Sequence, residues 1–275
     1  MYAKSFAKVN LFLHALSRYQ NNYHEIQSYF IRTELFDEIT IEPYKKYLCE
    51  VLGPSLCGPN IVDKIILSFE SVLQRSLNFK VVIKKNIPIS AGLGGGSGNA
   101  ATVVLLLLNY FKPNKQLSQL IHHKIQSIGS DIAFFLQKGN AFVEGVGNRV
   151  TPVRLGVSYF ILLVNSGIRI SSKVAYENLQ EKNFSKKISC NRTAILNSVL
   201  HGSNDLEKFI SKEYQEIRDL LKFLLKQSNC LVSRMTGSGS TCFGIFSQLV
   251  DLNQAVEAVK NSYPLYWLHA EKILL

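Results

Sequence analysis

Between Pro88 and Thr102 the chain reads PISAGLGGGSGNAAT, and VVLLLLNYF follows at once. Five of those fifteen residues are glycine, in a stretch that runs straight into one of the most apolar segments of the chain. Glycine lets backbone N–H groups approach an anion with no side chain in the way. Ahead of the loop, NFKVVIKKNIP reads as a strand closed by Pro88. Behind it, Ser97 and Asn99 are cap-type residues, and AATVVLLLLNYF reads as a helix apolar almost all round and therefore buried. A helix N-terminus carries unpaired N–H groups and the positive end of a dipole, which suits an anion. Lys84 and Lys85 lie just upstream. The plainer alternative is a structural glycine turn or a linker. Two familiar phosphate motifs fail on detail: a Walker A loop needs Lys-Ser or Lys-Thr after its glycines, but Ser97 follows Gly96. The dinucleotide fingerprint needs an acidic residue at the end of the next strand, where this chain has a helix and NYFKPNKQLSQ. A phosphate loop of another kind is expected.

The rest of the chain alternates strands and helices. SFAKVNLFLHAL reads as one strand; IQSYFIRTEL and DEITIEPY read as two more joined by a short turn. NIVDKIILSFESVLQRSL has helical spacing with Asn60 as N-cap after Pro59. LSQLIHHKIQSIG reads as a helix ended by Gly129, and SYFILLVN as a buried strand. Beyond about residue 152 helices are expected at 173–179, 192–200, 204–210 and 214–227. LVSRMTGSGSTCFGIF reads as strand, glycine turn, strand; QAVEAVKNSY as a helix; YWLHAEKIL as a last strand. The class is α+β in two halves, 1–152 and 153–275, with no repeat and no obvious linker.

Charge narrows the partner. The chain has 31 Lys and Arg against 20 Asp and Glu, a net +11. Residues 51–200 hold 17 of the cations against 6 of the anions, so the surplus surrounds the glycine loop. It is diffuse, with no Arg-rich helix or finger spacing, and fits a small polyphosphate substrate better than a nucleic-acid face. No apolar run approaches the roughly 18–20 residues of a membrane helix, and the N-terminal stretch is broken by Lys8, Asn10 and His14, unlike a signal peptide. A cytoplasmic protein without nucleic-acid or membrane partner is expected, as a monomer or weak homodimer. The five cysteines, Cys49, Cys57, Cys190, Cys230 and Cys242, are odd in number and scattered, which argues for reduced structural thiols over disulfides or zinc.

Other residues have plain readings beside functional ones. Asp131, after Gly-Ser, is a natural N-cap for IAFFL. Lys8 suits an edge strand guarded against aggregation. Tyr23 and His24 suit a loop tip, and TGSGS a tight hairpin turn.

In order along nearly the whole chain, AKVNLFL (residues 7–13), NNYHEIQS (21–28), GPNIV (58–62), PISAGLGGGSGNAAT, IGSDIAFFL (128–136), AFVEGVGNRVTPV, NDLE (204–207) and RMTGSGSTCFGIF resemble the motifs of the GHMP kinases. The resemblance implies a two-domain α+β fold, an N-terminal ribosomal S5-like nucleotide-binding domain followed by a ferredoxin-like substrate domain. It implies phosphoryl transfer from ATP, with Mg2+, to the alcohol of a small molecule. The form of the loop further implies a cytidine diphosphate-linked sugar alcohol as acceptor; another small alcohol is the alternative. ATP would then meet Asn60, Lys85, Pro88, Ala91, Gly92, Leu93, Gly94, Gly95, Gly96, Ser97, Gly98 and Asn99, and no side chain is assigned to the metal.

The same resemblance makes Asp131 the base. A poorly hydrated carboxylate needs a cation to stay ionised, and Lys8, costly as a lone lysine among apolar neighbours, is that partner. Asn10, two residues on and on the same strand face, would touch substrate or phosphate. His24 would read the cytosine edge while Tyr23 and Tyr176 stack on its face. Ser172, Gly237, Ser238 and Gly239 fall on the substrate side, with TGSGS packed against the phosphate loop. Two positions depart from the family: Gly98 replaces a second loop serine, leaving Ser97 as the hydroxyl, and Asn148 replaces a frequent glutamate and has no assigned role.

Overall fold

The computed structural model describes residues 1–53 and 60–275. Gly58 and Pro59 of GPNIV, and Cys57, lie outside the described residues. In chain order the elements are strands β1 (Tyr2–Arg18), β2 (His24–Pro43) and β3 (Leu48–Leu52), helix α1 (Ile61–Leu73), strand β4 (Phe79–Lys84), and helices α2 (Gly95–Phe111), α3 (Lys115–Gln126) and α4 (Ile132–Phe135). Strands β5 (Ala141–Gly145), β6 (Arg149–Pro152) and β7 (Ser158–Asn165) follow, then helices α5 (Ser172–Glu177), α6 (Arg192–His201), α7 (Glu207–Glu213) and α8 (Gln215–Leu225). Strands β8 (Cys230–Met235) and β9 (Cys242–Phe246), helix α9 (Leu249–Ser262) and strand β10 (Trp267–Leu274) complete the chain.

Two compact units are not consecutive in sequence: one comprises Met1–Ala7, Glu34–Ile89 and Gly94–Lys138, the other Lys8–Thr33, Ser90–Leu93 and Gly139–Leu275. In the first, β3 runs parallel to β4, and β4 pairs antiparallel with the end of β2, Ile39 opposite Ile83 and Ile41 opposite Val81. All four of those side chains are buried. α1 packs on α2 and α3, and α2 on α4; the buried stripe Val62, Ile65, Ile66, Phe69 of α1 has the period that pattern requires.

In the second unit the start of β2 pairs antiparallel with β5, and β5 with β6. A separate antiparallel sheet runs β10-β7-β9-β8. Its core gathers Leu162, Val164, Phe246 and Met235 with Leu206, Ile217, Leu220 and Leu224 from the helices. Among the described residues no helix is long and apolar enough to cross a membrane, and Cys49, Cys190, Cys230 and Cys242 are free thiols.

Two expectations are corrected. In place of two strands and a turn, β2 is one strand of 20 residues; it runs unbroken through Phe36 into Asp37, which is fully buried with its carboxylate hydrogen-bonded. And α2 begins at Gly95, within the glycines, after a Gly94 N-cap at φ +68. It is not buried all round either: Leu105 is 46% and Tyr110 52% exposed.

Candidate active site

The predicted residues fall into two groups, one in each unit. In the first, α2 starts without any side-chain cap on Gly94, so the opening N–H groups of the helix have no intrahelical acceptor. Gly95, Gly96 and Ser97 form that first turn. A Cβ on Gly95 would stand 3.1 Å from Ile87 and 3.2 Å from Lys85 Nζ, so the ammonium of Lys85 lies against the helix start; Pro88 is half-buried. Lys84 turns the other way and pairs with Glu38 at the surface, 2.8 Å.

Asn60 caps α1 in a reciprocal box: Val62 N–H donates to Asn60 Oδ1 (3.0 Å) and Asn60 N–H to Asp63 Oδ2 (3.0 Å). Gly129 packs where a Cβ would meet Ile61 at 3.2 Å and Ser97 Oγ at 3.4 Å. The segment carrying Asp131 therefore lies beside the Ser97 hydroxyl within this unit. Asp131 occupies the N-cap position of α4, yet its side chain makes no capping bond, so capping does not account for it. Asn99 is buried with its Oδ1 unpartnered.

Gly98 is buried, and a Cβ there would stand 3.0 Å from the Phe6 carbonyl and 3.1 Å from Ser5 Oγ. The place where the resemblance leads one to expect a second loop serine is thus already crowded. Gly98→Ser gains about 0.5 kcal/mol of helix propensity but overpacks by roughly 1–3 kcal/mol. A net loss of about 1 kcal/mol is expected, measured as a lowered denaturant midpoint; an unchanged or raised midpoint would contradict the crowding.

In the second unit Lys8 is 3% exposed; it is no edge-strand guard. Its ammonium donates to the Gly92 carbonyl at 3.0 Å and to Asn10 Oδ1, and lies 4.9 Å from the Phe30 ring centroid. Asn10 Nδ2 donates to Ser28 Oγ (3.0 Å), and Asn10 N–H to Thr236 Oγ1 (2.9 Å). The TGSGS turn closes onto this cluster: a Cβ on Gly237 would meet Gly92 O at 3.0 Å, Asn10 Oδ1 at 3.2 Å and Lys8 Nζ at 3.3 Å. Ala91 and Leu93 are buried beside it, Ala91 O accepting from Thr241 N–H and Leu93 O from Lys8 N–H. Gly239 takes φ +84, where a Cβ would overlap Met235 Sδ.

Asn204, of the NDLE motif, holds the turn from beneath, donating to the carbonyls of Met235 (2.8 Å) and Gly237 (2.7 Å). Glu207 accepts from Met235 N–H; burial pushes its carboxyl up and pushes the neighbouring Arg234 down to about 10.

Ser172 Oγ and Ser238 Oγ are 2.8 Å apart. His24 stacks on Tyr176 with centroids 5.4 Å apart, and Phe184 stands edge-on at 6.0 Å. His24 is 5% exposed with both ring nitrogens unpartnered. Burial, helped by Arg18, lowers its pKa, so near neutral pH the ring offers one donor and one acceptor. Tyr23, by contrast, is 58% exposed. Sequence reasoning misses Asp37, Ser28, Thr236 and Phe184 as individual residues; Thr236 stands within the TGSGS motif.

Two glycine turns, one at the start of a helix and a buried one beside a lysine-asparagine pair, agree with the likeness of this chain to known proteins. The model of the GHMP kinases N terminal domain matches residues 60–139, and that of the GHMP kinases C terminal matches residues 186–265. A crystal structure of 4-(cytidine 5'-diphospho)-2C-methyl-D-erythritol kinase superposes with a TM-score of 0.79 at 26% identity, covering 98% of each chain. The fold is that of the GHMP kinases, which are small-molecule kinases. The 4-diphosphocytidyl-2-C-methyl-D-erythritol kinase of Thermodesulfovibrio yellowstonii is 32% identical over 99% of this chain and 97% of its own. The enzyme of the same name from Thermosipho melanesiensis is 35% identical over 91% and 92%. The chain belongs to the 4-diphosphocytidyl-2-C-methyl-D-erythritol kinase family.

Proposed function

We propose that the chain transfers the γ-phosphoryl group of ATP to the 2-hydroxyl of 4-diphosphocytidyl-2-C-methyl-D-erythritol, a step in making isoprenoid precursors outside the mevalonate route. It would do so in the cytoplasm, as a monomer or weak homodimer, without nucleic-acid or membrane partner. The observation that carries the choice of acceptor is His24: buried, neutral, unpartnered at both nitrogens and stacked on Tyr176. A flat polar base edge supplies the missing acceptor and donor, and its face lies against aromatic rings.

Phosphoryl transfer asks the protein for positioning and charge rather than covalent chemistry. The first N–H groups of α2, the Ser97 hydroxyl and the Lys85 ammonium would hold the phosphates, with Asn60 and the residues from Pro88 to Asn99 around the nucleotide. Among the described residues no group of three or more His, Cys, Asp or Glu forms a metal cage. Magnesium, bound with ATP, would supply charge neutralisation at the phosphates, beside the Ser97 hydroxyl and the Lys85 ammonium. Asp131 would accept the proton of the attacking hydroxyl. Lys8 would supply the charge that keeps this carboxylate ionised, with Asn10 fixing the ammonium, and Ser172, Gly237, Ser238 and Gly239 would line the acceptor side with Tyr23 and Tyr176.

The test follows ADP release with the cytidylylated substrate and with a panel of other alcohols, including homoserine and mevalonate. Turnover of the cytidylylated substrate is expected, with kcat/KM at least about 1,000-fold above the panel and cytidine diphosphate as a competitive inhibitor. Turnover of another alcohol, indifferent to cytidine diphosphate, would assign a different acceptor.

A further inference from the structure

Asp37 lies in the middle of β2, fully buried. Its Oδ1 accepts from the N–H groups of Asn86 (2.8 Å) and Ile87 (2.9 Å), and its Oδ2 from the ammonium of Lys85. The Lys85 side chain is 6% exposed, and its own N–H is tied to the Leu52 carbonyl at 2.9 Å. The turn after β4 is therefore held by its backbone as well as by the ion pair.

The pair stands in a costly place. A buried ion pair adds little to stability once both charges have lost their water. A cation beside a helix N-terminus also faces the positive end of the dipole, and Lys85 Nζ lies 3.2 Å from the Cβ position of Gly95, the first residue of α2. The two amide bonds from Asn86 and Ile87 would hold the turn with a neutral residue at 85. What Asp37 adds is the location of an ammonium beside bare backbone N–H groups. A positive charge there is favourable when an anion sits against it.

We propose that Asp37 is a positioning residue: it fixes the Lys85 ammonium at the first turn of α2 so that it meets the phosphates of the bound nucleotide. This rests on the reading of the loop as an ATP site, and it explains why a buried aspartate stands between the buried Leu35 and Ile39 on that face of the strand.

The experiment measures binding of the non-hydrolysable analogue AMP-PNP and of adenosine to the full chain by calorimetry. The variants are Asp37→Asn, Lys85→Met and the two combined. Asn keeps an oxygen for the amides of residues 86 and 87 and loses the charge toward Lys85. Asp37→Asn is expected to weaken AMP-PNP about tenfold, the scale of one charge-assisted hydrogen bond, while adenosine binding stays within about twofold. In turnover, KM for ATP rises by a similar factor and kcat changes far less. Because Asp37 acts through Lys85, the double variant binds no more weakly than Lys85→Met alone. Wild-type AMP-PNP affinity in either single variant, or losses that multiply in the double variant, overturns the proposal; if Asp37→Asn does not fold, Lys85→Met still decides it. A wild-type chain that binds neither ligand overturns the nucleotide reading itself.

Discussion

Asp131→Asn lowers kcat with the cytidylylated substrate by roughly 100- to 10,000-fold, the usual contribution of a general base, and leaves AMP-PNP affinity within about twofold. The substitution keeps size and polarity and removes the negative charge together with the capacity to take a proton. The competing account, that Asp131 caps α4, predicts a different result, since a lost cap costs about 1 kcal/mol of stability and nothing in the chemical step. The carboxylate makes no capping bond to α4, and Asn is itself a good cap. Folding stability and catalysis are therefore separable at this position. Steady-state turnover beside AMP-PNP titration checks it: a kcat within tenfold of wild type removes Asp131 from the base role. Nucleotide affinity lost in parallel with kcat would instead make it a nucleotide-binding residue.

Local chemistry explains which parts are legible in the sequence. The Asn60 N-cap, the strand before the loop and the strand–turn–strand around TGSGS each carry their signal within a few residues, and each is found. The start of α2 reads too late in the sequence because glycine is a poor helix former in isolation; in the fold Gly94 supplies the left-handed cap and the glycines form the first turn. Asp37 goes unnoticed at the start of the expected strand DEITIEPY because its partners, Lys85, Asn86 and Ile87, lie about 50 residues away. Phe184 escapes notice for the same reason, since its contact with His24 spans 160 residues of chain. Propensity records what a residue prefers alone, whereas a buried polar residue is decided by a distant partner. Lys8 and His24 stand out only through motif resemblance; their burial, which makes the lysine's bonds to Gly92 and Asn10 matter, belongs to the tertiary structure.

Gly92→Ala is expected to cost about 2–5 kcal/mol of stability, the sum of a strained backbone and a steric overlap. Gly92 has φ +75, and a Cβ there would stand 2.2 Å from the Thr236 carbonyl and 3.0 Å from that of Gly239. The left-handed conformation alone costs an alanine roughly 1–2 kcal/mol, and the overlap with backbone adds roughly 1–3 kcal/mol more. Gly167→Ala separates the two: Gly167 has φ +86 with nothing within 4 Å of its Cβ position, so it bears the strain without the clash and should lose only about 1–2 kcal/mol. Relief of the clash requires the TGSGS turn to retreat from Gly92. Gly237 would then leave Lys8 and Asn10, and the carbonyl that accepts from the Lys8 ammonium would shift. Gly92→Ala should therefore reduce kcat by at least about tenfold even at temperatures where the chain remains folded, while Gly167→Ala does not. Denaturant titration and turnover on both variants test this. Equal stability losses in the two would show that the turn yields freely and that close approach of Gly92 to Thr236 contributes nothing beyond backbone strain.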